Sequence, residues 1–266
     1  MCMKHCRFSS DSISLSTATG LLGVLAWLPL SLLLAPMAHG QGVVIFNNRI
    51  AGGSGIGVSL HIWGPSTTAP WLSLTGIGSN DSPSGTTPFG AASSMALIGA
   101  GGSGGHFGYA TTFAQLIGAN GSARAESDLV PVGRTTTFRS GTTLGSLAYV
   151  NDTLTGGYLG IPRESPVATF EIVAWDNSSG LYPTWTEARA AWDNGWIAAG
   201  HSSPFTITAI GGDLNPSPNL NNDEGNLRGM TSFNLFSLAL APEPSTCALA
   251  GLGLAALFVA RRRYYR

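Results

Sequence analysis

The chain has 266 residues, a formal net charge of −1 and only 10% charged residues, while 36 residues are glycine. A nucleic-acid binder needs a dense cationic surface to displace counterions. Residues 41–240 contain no lysine and more acidic than basic side chains, so nucleic acid is excluded as a partner. The three cysteines, Cys2, Cys6 and Cys247, lie in the terminal segments, which excludes a disulfide within the middle of the chain.

The N-terminal segment has the order of a secretory signal peptide. Two basic residues near the start precede an apolar run over residues 20–35, and small residues stand at positions −3 and −1 of a cleavage point. We therefore predict a signal peptide over residues 1–40. The alternative is a signal anchor that stays in the membrane, but two prolines and the small-residue site favour cleavage. The predicted cleavage site consists of Ala38, Gly40 and Gln41.

The middle segment, residues 41–240, is long enough for one β domain with its own core. Short runs rich in Val, Ile, Thr and aromatic residues alternate with clusters of Gly, Ser, Asn and Pro, which is typical of antiparallel strands joined by turns. We predict an all-β ectodomain, an antiparallel β-sandwich of which a jelly roll is one variant. The predicted strands are Val43–Phe46, Val58–Trp63, Ala110–Leu116, Thr135–Arg139, Leu144–Val150, Ala168–Trp175, Phe205–Ile210 and Thr231–Leu238.

One short helix is predicted inside this β domain. Thr184 and Glu187 fit a capping box, and Gly195 is the predicted end of the helix. Three tryptophans fall on or near one face: Trp185, Trp192 and Trp196. Packing into the core is the favoured interpretation, because aromatics at helical spacing commonly pack there. The alternative is a platform on which sugar rings stack.

Two glycine-rich segments match the sequence motifs of a catalytic serine and of a dinucleotide-binding site. Residues 101–105 fit G-x-S-x-G with His106 adjacent, and residues 99–104 fit G-x-G-x-x-G. A nucleophile elbow needs a strand-to-helix turn, and a dinucleotide site needs a following helix. Neither context is predicted here, so we interpret the segment as a loop. The chain is predicted not to be an enzyme and to need no cofactor.

Metal ligands are sparse in the sequence. His61, His106 and His201 have no partner at a metal-binding spacing. One acidic stretch places oxygen-bearing side chains at the spacing of a calcium loop, but a proline occupies the position of the required glycine. The favoured interpretation is a solvated loop rich in Asn and Pro, and calcium is the alternative. The candidate ligands are Asp213, Asn215, Ser217 and Glu224.

The C-terminal segment, residues 241–266, has three parts. Pro242, Glu243 and Pro244 come first, an uncharged run over Ser245–Ala260 follows, and a basic cluster ends the chain. A helix is expected only after the second proline. The run is shorter than the roughly 20 residues usually needed to span a bilayer, and snorkelling arginines or local thinning make up the difference. We predict a transmembrane helix with a cytoplasmic stop at Arg261, Arg262 and Arg263.

The order of these parts resembles the PEP-CTERM sorting signal. The similarity rests on the sequence Pro-Glu-Pro-Ser-Thr from residue 242, the short apolar span and the terminal arginines, and it covers about 25 residues. It implies recognition by an exosortase-like membrane protease-transpeptidase in bacteria that make exopolysaccharide. It implies sorting and not an activity. A second similarity, of residues 46–48 and 174–177, is to ectodomains often attached to such tails.

Together these features predict an exported, non-catalytic protein of the cell envelope or extracellular matrix, linked to exopolysaccharide and biofilm. The ectodomain is expected outside the cytoplasm, anchored by the C-terminal helix or released to the surface or matrix after processing. The alternative is a carbohydrate-binding module that acts on the polysaccharide of the producing cell. Exposed, coplanar tryptophans would favour that alternative, and buried ones would weaken it.

Overall fold

The computed structural model describes residues 41–50, 57–148, 150–154, 160–220, 230–238 and Arg261. The predicted signal peptide therefore lies outside the described residues, as does the predicted transmembrane run. Within the described ranges, no helix is long and apolar enough to cross a membrane.

Twelve short strands and one α-helix form the described part of the chain. The helix, α1, spans Trp185–Asp193, and single turns of 3₁₀-helix occupy Gly90–Ser93, Glu126–Asp128 and Gly141–Thr143. The strands are β1 (Val43–Phe46), β2 (Arg49–Ile50), β3 (Val58–Ser59), β4 (Ile62–Trp63), β5 (Thr75–Gly76), β6 (Thr112–Asn120), β7 (Val130–Pro131), β8 (Val150–Thr153), β9 (Val167–Asp176), β10 (Ala199–His201), β11 (Phe205–Thr208) and β12 (Ser232–Asn234).

The largest sheet is built around β9. Along one edge β9 pairs antiparallel with β6, from Thr112 opposite Asp176 to Asn120 opposite Ala168. Along the other edge it pairs antiparallel with both β10 and β11, and β7 extends the sheet beyond β6. Smaller pairings join β1 to β8, β2 to β3, and β12 to both β4 and β5. The pairing of β12 with β4 is parallel, whereas all the other strand pairs among the described residues are antiparallel.

Both faces of β9 are covered, so nine of its ten residues are buried. Because successive side chains alternate across a strand, Phe170 and Ile172 enter the main core, which also contains Val44, Phe46 and Phe233. Val173 and Trp175 point to the opposite face and pack under α1. The predicted β architecture with one short helix is therefore confirmed for the described residues, while its closure into a two-layer sandwich stays a prediction.

Two predicted strands are shorter than expected because their regular pairing ends early, for a different reason in each. The run Val58–Trp63 is interrupted after Ser59: the Asn48 side-chain amide donates to the Leu60 carbonyl at 3.0 Å, and the His61 backbone N–H donates to the Ser232 hydroxyl at 2.9 Å. The predicted strand at Phe205 ends at Thr208, because Ala209 adopts a φ of 54°, a left-handed conformation that breaks strand pairing.

Further predicted strands are reduced to isolated contacts or displaced. The run Thr135–Arg139 contributes only single bridges, at Thr136 and Phe138, so its prediction as a strand is wrong. In the run Leu144–Val150, Gly145 has a φ of 72°, and regular pairing begins only at Val150. Such glycine conformations suit turns and not strands.

The helix α1 begins and ends where the sequence predicts. The Glu187 carboxylate accepts hydrogen bonds from the Thr184 N–H at 3.0 Å and from the Thr184 hydroxyl at 2.9 Å. The buried side chain of Gln115 on β6 caps the Trp185 N–H at 2.9 Å, so the sheet itself satisfies one free donor of the first turn. After Asp193 the chain reverses at Gly195, whose φ is 71°.

The prediction that three tryptophans pack together is correct for two of them. Trp185 and Trp192 are each 5% exposed and belong to the cluster around Trp175, with ring centroids 6.0 Å apart. Trp196 is 72% exposed, so its predicted burial is wrong. The physical reason is its position beyond Gly195, where the chain has already left the helix and its buried face.

Candidate functional site

The two predicted processing sites fall mostly outside the described residues. Ala38 and Gly40 lie outside them, as do Pro242, Glu243, Pro244, Arg262 and Arg263. Arg261 is helical and exposed. Gln41 is also exposed and makes only an isolated bridge to Pro162, whereas Gly42 is buried and its N–H donates to the Ile161 carbonyl. Cleavage before Gln41 would therefore leave β1 and its hydrogen bonds intact.

The candidate calcium loop is held by protein groups in its described part. The Asp213 carboxylate forms an ion pair with the Arg163 guanidinium. The Glu164 carboxylate accepts the Leu214 N–H at 2.6 Å and the Asn215 N–H at 3.1 Å. Since a guanidinium already occupies the Asp213 carboxylate, this arrangement favours an ordinary surface loop. Ser217 is described, while Glu224 lies outside the described residues.

All three histidines of the described ranges bind a carboxylate through Nδ1. The distances are 2.9 Å from His61 to Asp81, 2.5 Å from His106 to Asp176 and 2.6 Å from His201 to Glu171. A histidine oriented by a carboxylate is one part of a nucleophilic triad, in which the nucleophile binds the other ring nitrogen. A pair can therefore belong to a triad only if a serine hydroxyl contacts the histidine nitrogen that the carboxylate does not bind.

The pair of His61 and Asp81 ties three segments together. The buried Asp81 carboxylate accepts the Ser232 hydroxyl at 2.6 Å and the Gly78 N–H at 2.5 Å. The Ser232 oxygen in turn accepts the His61 N–H at 2.9 Å. The serine hydroxyl is thus directed at the carboxylate and not at the imidazole, so this cluster has the geometry of a structural link.

The pair of His106 and Asp176 stands at the glycine-rich segment. Ser178 Oγ lies 2.9 Å from His106 Nδ1, the same nitrogen that Asp176 contacts. A triad would place these two oxygens on opposite ring nitrogens. Ser103, the serine of the G-x-S-x-G sequence, is exposed among turns, so the interpretation of this segment as a loop is confirmed.

The pair of His201 and Glu171 differs because a second carboxylate adjoins it. Glu126, from the 3₁₀ turn before β7, joins Glu171 of β9 and His201 of β10, and one ligand-type atom from each lies within 4.8 Å of the others. Within the part of the chain that the structure describes, no other three His, Cys, Asp or Glu side chains meet in this way. No motif in the sequence predicts this site, because its three residues come from separate segments of the chain.

Burial and the hydrogen bond between Glu171 and His201 shift the pKa values of both side chains. The Glu171 side chain is 1% exposed, and this burial raises its pKa, while the hydrogen bond from His201 opposes the shift. The hydrogen bond to Glu171 raises the pKa of His201, against the opposing effect of burial. One oxygen of Glu171, Oε2, is buried and has no hydrogen-bond partner. Such orphaned polar atoms are uncommon in folded proteins.

Comparison with known proteins identifies a sorting motif in the C-terminal segment and no relative of the ectodomain. Residues 240–263 match the family model of the PEP-CTERM protein-sorting motif, which confirms the interpretation of the C-terminal segment. The chain is therefore an exported protein that is sorted to the cell envelope. More specifically, it carries a PEP-CTERM motif, which implies processing by an exosortase-type membrane enzyme. No curated protein and no solved structure shows significant similarity to the chain.

Proposed function

We propose that the chain is a non-catalytic protein of the cell surface or extracellular matrix, associated with the exopolysaccharide of the producing cell. A signal peptide over residues 1–40 directs export, and the apolar run Ser245–Ala260 holds the ectodomain, a β-sandwich, outside the cytoplasm until processing. The observation that carries this proposal is the match of residues 240–263 to the sorting motif. The ectodomain is then the cargo that the tail delivers.

The ectodomain supports a non-catalytic role through the way its reactive side chains are used. In the two histidine pairs with a nearby serine, that serine does not contact the free ring nitrogen. The buried tryptophans Trp175, Trp185 and Trp192 belong to the hydrophobic cluster between α1 and the sheet. These groups stabilise the fold, as expected of a protein that has a structural role.

A carbohydrate-binding module is the second candidate, and one observation favours it. Trp196 is 72% exposed directly after α1, and an exposed indole can stack on a sugar ring. The burial of Trp185 and Trp192 removes the platform of three rings that the sequence suggested as an alternative. Direct binding would therefore depend on Trp196 alone among these three residues.

The proposed matrix association predicts a specific change in fractionation. In a host that cannot make its exopolysaccharide, we expect the protein to shift from the matrix fraction to the medium or the cell membrane. Quantitative immunoblotting of matrix, membrane and medium fractions measures the shift. An unchanged distribution would contradict the link to polysaccharide.

The variant Trp196→Ala separates the two candidate functions in the same assay. If the tail alone delivers a matrix protein, this variant is retained like the wild type. Under the carbohydrate-binding alternative, loss of a stacking contact worth about 0.5–1.5 kcal/mol weakens binding to the isolated polysaccharide about 2- to 10-fold. Trp71→Ala, which changes a less exposed tryptophan at 39% exposure, is the matched control.

A further inference from the structure

We propose that Glu126, Glu171 and His201 form a binding site for a divalent transition-metal ion, with zinc as the ion that fits this ligand set best. The site lies at the edge of the cluster beneath α1, where a 3₁₀ turn meets β9 and β10. Two carboxylates and one imidazole are ligands that zinc commonly takes, and zinc stands near the top of the affinity order for such sites.

The strongest indication is the orphaned oxygen of Glu171. Its side chain is almost fully buried, Oε1 accepts a hydrogen bond from His201, and Oε2 has no partner. Leaving a buried acceptor unsatisfied is unfavourable unless another group or ion completes it. Because both neighbouring ligands approach this carboxylate, a cation placed among them would supply the missing interaction.

The charges of the site match a divalent cation. Two carboxylates and a neutral imidazole sum to −2, which an M²⁺ ion balances. The nearest cation on α1 is Arg189, and it is engaged elsewhere. Its guanidinium binds Asp193 at 3.1 and 3.2 Å and lies over the rings of Trp185 and Trp192, 6.0 and 5.7 Å from their centroids. Arg189 therefore forms no direct ion pair with Glu171, although its charge lowers the pKa of that carboxyl group.

Only a small adjustment converts the cluster into a coordination sphere. Tetrahedral zinc with bonds of 2.0–2.2 Å keeps its ligand atoms roughly 3.4 Å apart, and the three side chains already meet within 4.8 Å. Zinc bound by Glu171 Oε2 and His201 Nδ1 would displace the proton that Nδ1 donates to Oε1. An imidazolium would release that proton to solvent, whereas a neutral imidazole would carry its one proton on Nε2 instead. Glu126 is exposed on its turn, so it can move in, and a fourth position remains for water.

Such an ion would cross-link parts of the fold that have no disulfide. It would connect the 3₁₀ turn Glu126–Asp128 to the central strand β9 and to the edge strand β10. The ectodomain contains no cysteine, so a metal is a route to the stabilisation that disulfides give other exported proteins.

The test is a titration of the full-length protein with Zn²⁺ after treatment with a chelator. We expect one ion per chain by calorimetry, and a Tm increase of roughly 5–10 °C when free Zn²⁺ is 100-fold above its Kd. Co²⁺ in place of zinc should give the visible absorption of a bound ion. The variants Glu171→Gln and His201→Asn should weaken binding by more than the 10–100-fold lost when only a supporting partner is removed.

Two control variants separate this site from general metal binding. Asp128→Asn removes a carboxylate from the same 3₁₀ turn, and His106→Asn removes another histidine bound to a carboxylate. Both should bind Zn²⁺ like the wild type. The melting temperatures of all variants without metal show that each is folded. Absence of a bound ion, or equal affinity in the Glu171→Gln and wild-type proteins, would overturn the proposal. The result is independent of whether the tail is processed.

Discussion

Replacement of Pro242, Glu243 and Pro244 together by alanine is expected to block processing of the tail and leave export intact. The protein should then accumulate as a larger, membrane-held form. We expect the two prolines to keep the backbone extended, because proline lacks an N–H and disfavours helix. In the proposed topology the motif lies directly before the apolar run, at the outer boundary of the membrane. Alanines would allow the predicted helix of the apolar run to extend backwards through the motif, and the extended segment that a membrane enzyme is expected to recognise would be lost.

The matched control for this variant changes the other end of the tail. Deletion of Arg261–Arg263 leaves the motif intact but removes the positive charges that resist translocation. This variant should be retained less well in the membrane before processing. Fractionation and immunoblotting in the native host measure both effects. If the alanine variant is processed and localised like the wild type, the motif acts only as a linker.

The substitution Trp175→Ala is expected to cause the largest loss of folding stability in the ectodomain. Trp175 is fully buried on β9, and its ring centroid lies 6.0 Å from that of Phe113 and 5.8 Å from that of Trp185. Its indole N–H donates to the Tyr182 carbonyl at 2.8 Å. Removal of a buried tryptophan leaves a cavity and costs about 3–5 kcal/mol. The free energy of unfolding from urea denaturation should fall by that amount.

Trp196→Ala is the matched control, because it removes the same side chain from a site where it is mostly exposed. Substitutions at such surface positions usually change stability by less than about 0.5 kcal/mol. Equal effects of the two substitutions would show that the cluster under α1 does not stabilise the ectodomain in the way its packing indicates.

The elements that the sequence predicted well are those whose signals are local. The run around Phe170 and Trp175 is β-prone along its whole length, and it forms the central strand. The helix could be located because Thr184, Glu187 and Gly195 are local start and stop signals. The sorting motif could be recognised for a related reason. A processing enzyme binds such a signal as one short segment, so the residues of the motif are contiguous in the sequence.

The features that the sequence did not predict depend on contacts between distant segments. The strand after Val58 is divided because the side chains of Asn48 and Ser232 bind its backbone, and both residues come from other segments of the chain. The site at Glu171 arises from strand register: β10 pairs with β9 so that His201 stands opposite Val173, on the same face as Glu171. No spacing in the sequence encodes this register. Helical spacing predicts Trp196 on the buried face, but the helix ends at Asp193, and after the turn at Gly195 the Trp196 side chain is exposed.

We propose that both ends of the chain are sorting signals that are removed or processed during export. Mass spectrometry of the mature termini, performed on protein from the separated cell fractions, tests it most directly. We predict an N-terminus at or near Gln41 and a C-terminus that lacks Arg261, Arg262 and Arg263 in the fraction where the protein finally resides. An envelope protein that begins at Met1 and ends at Arg266 would contradict the account.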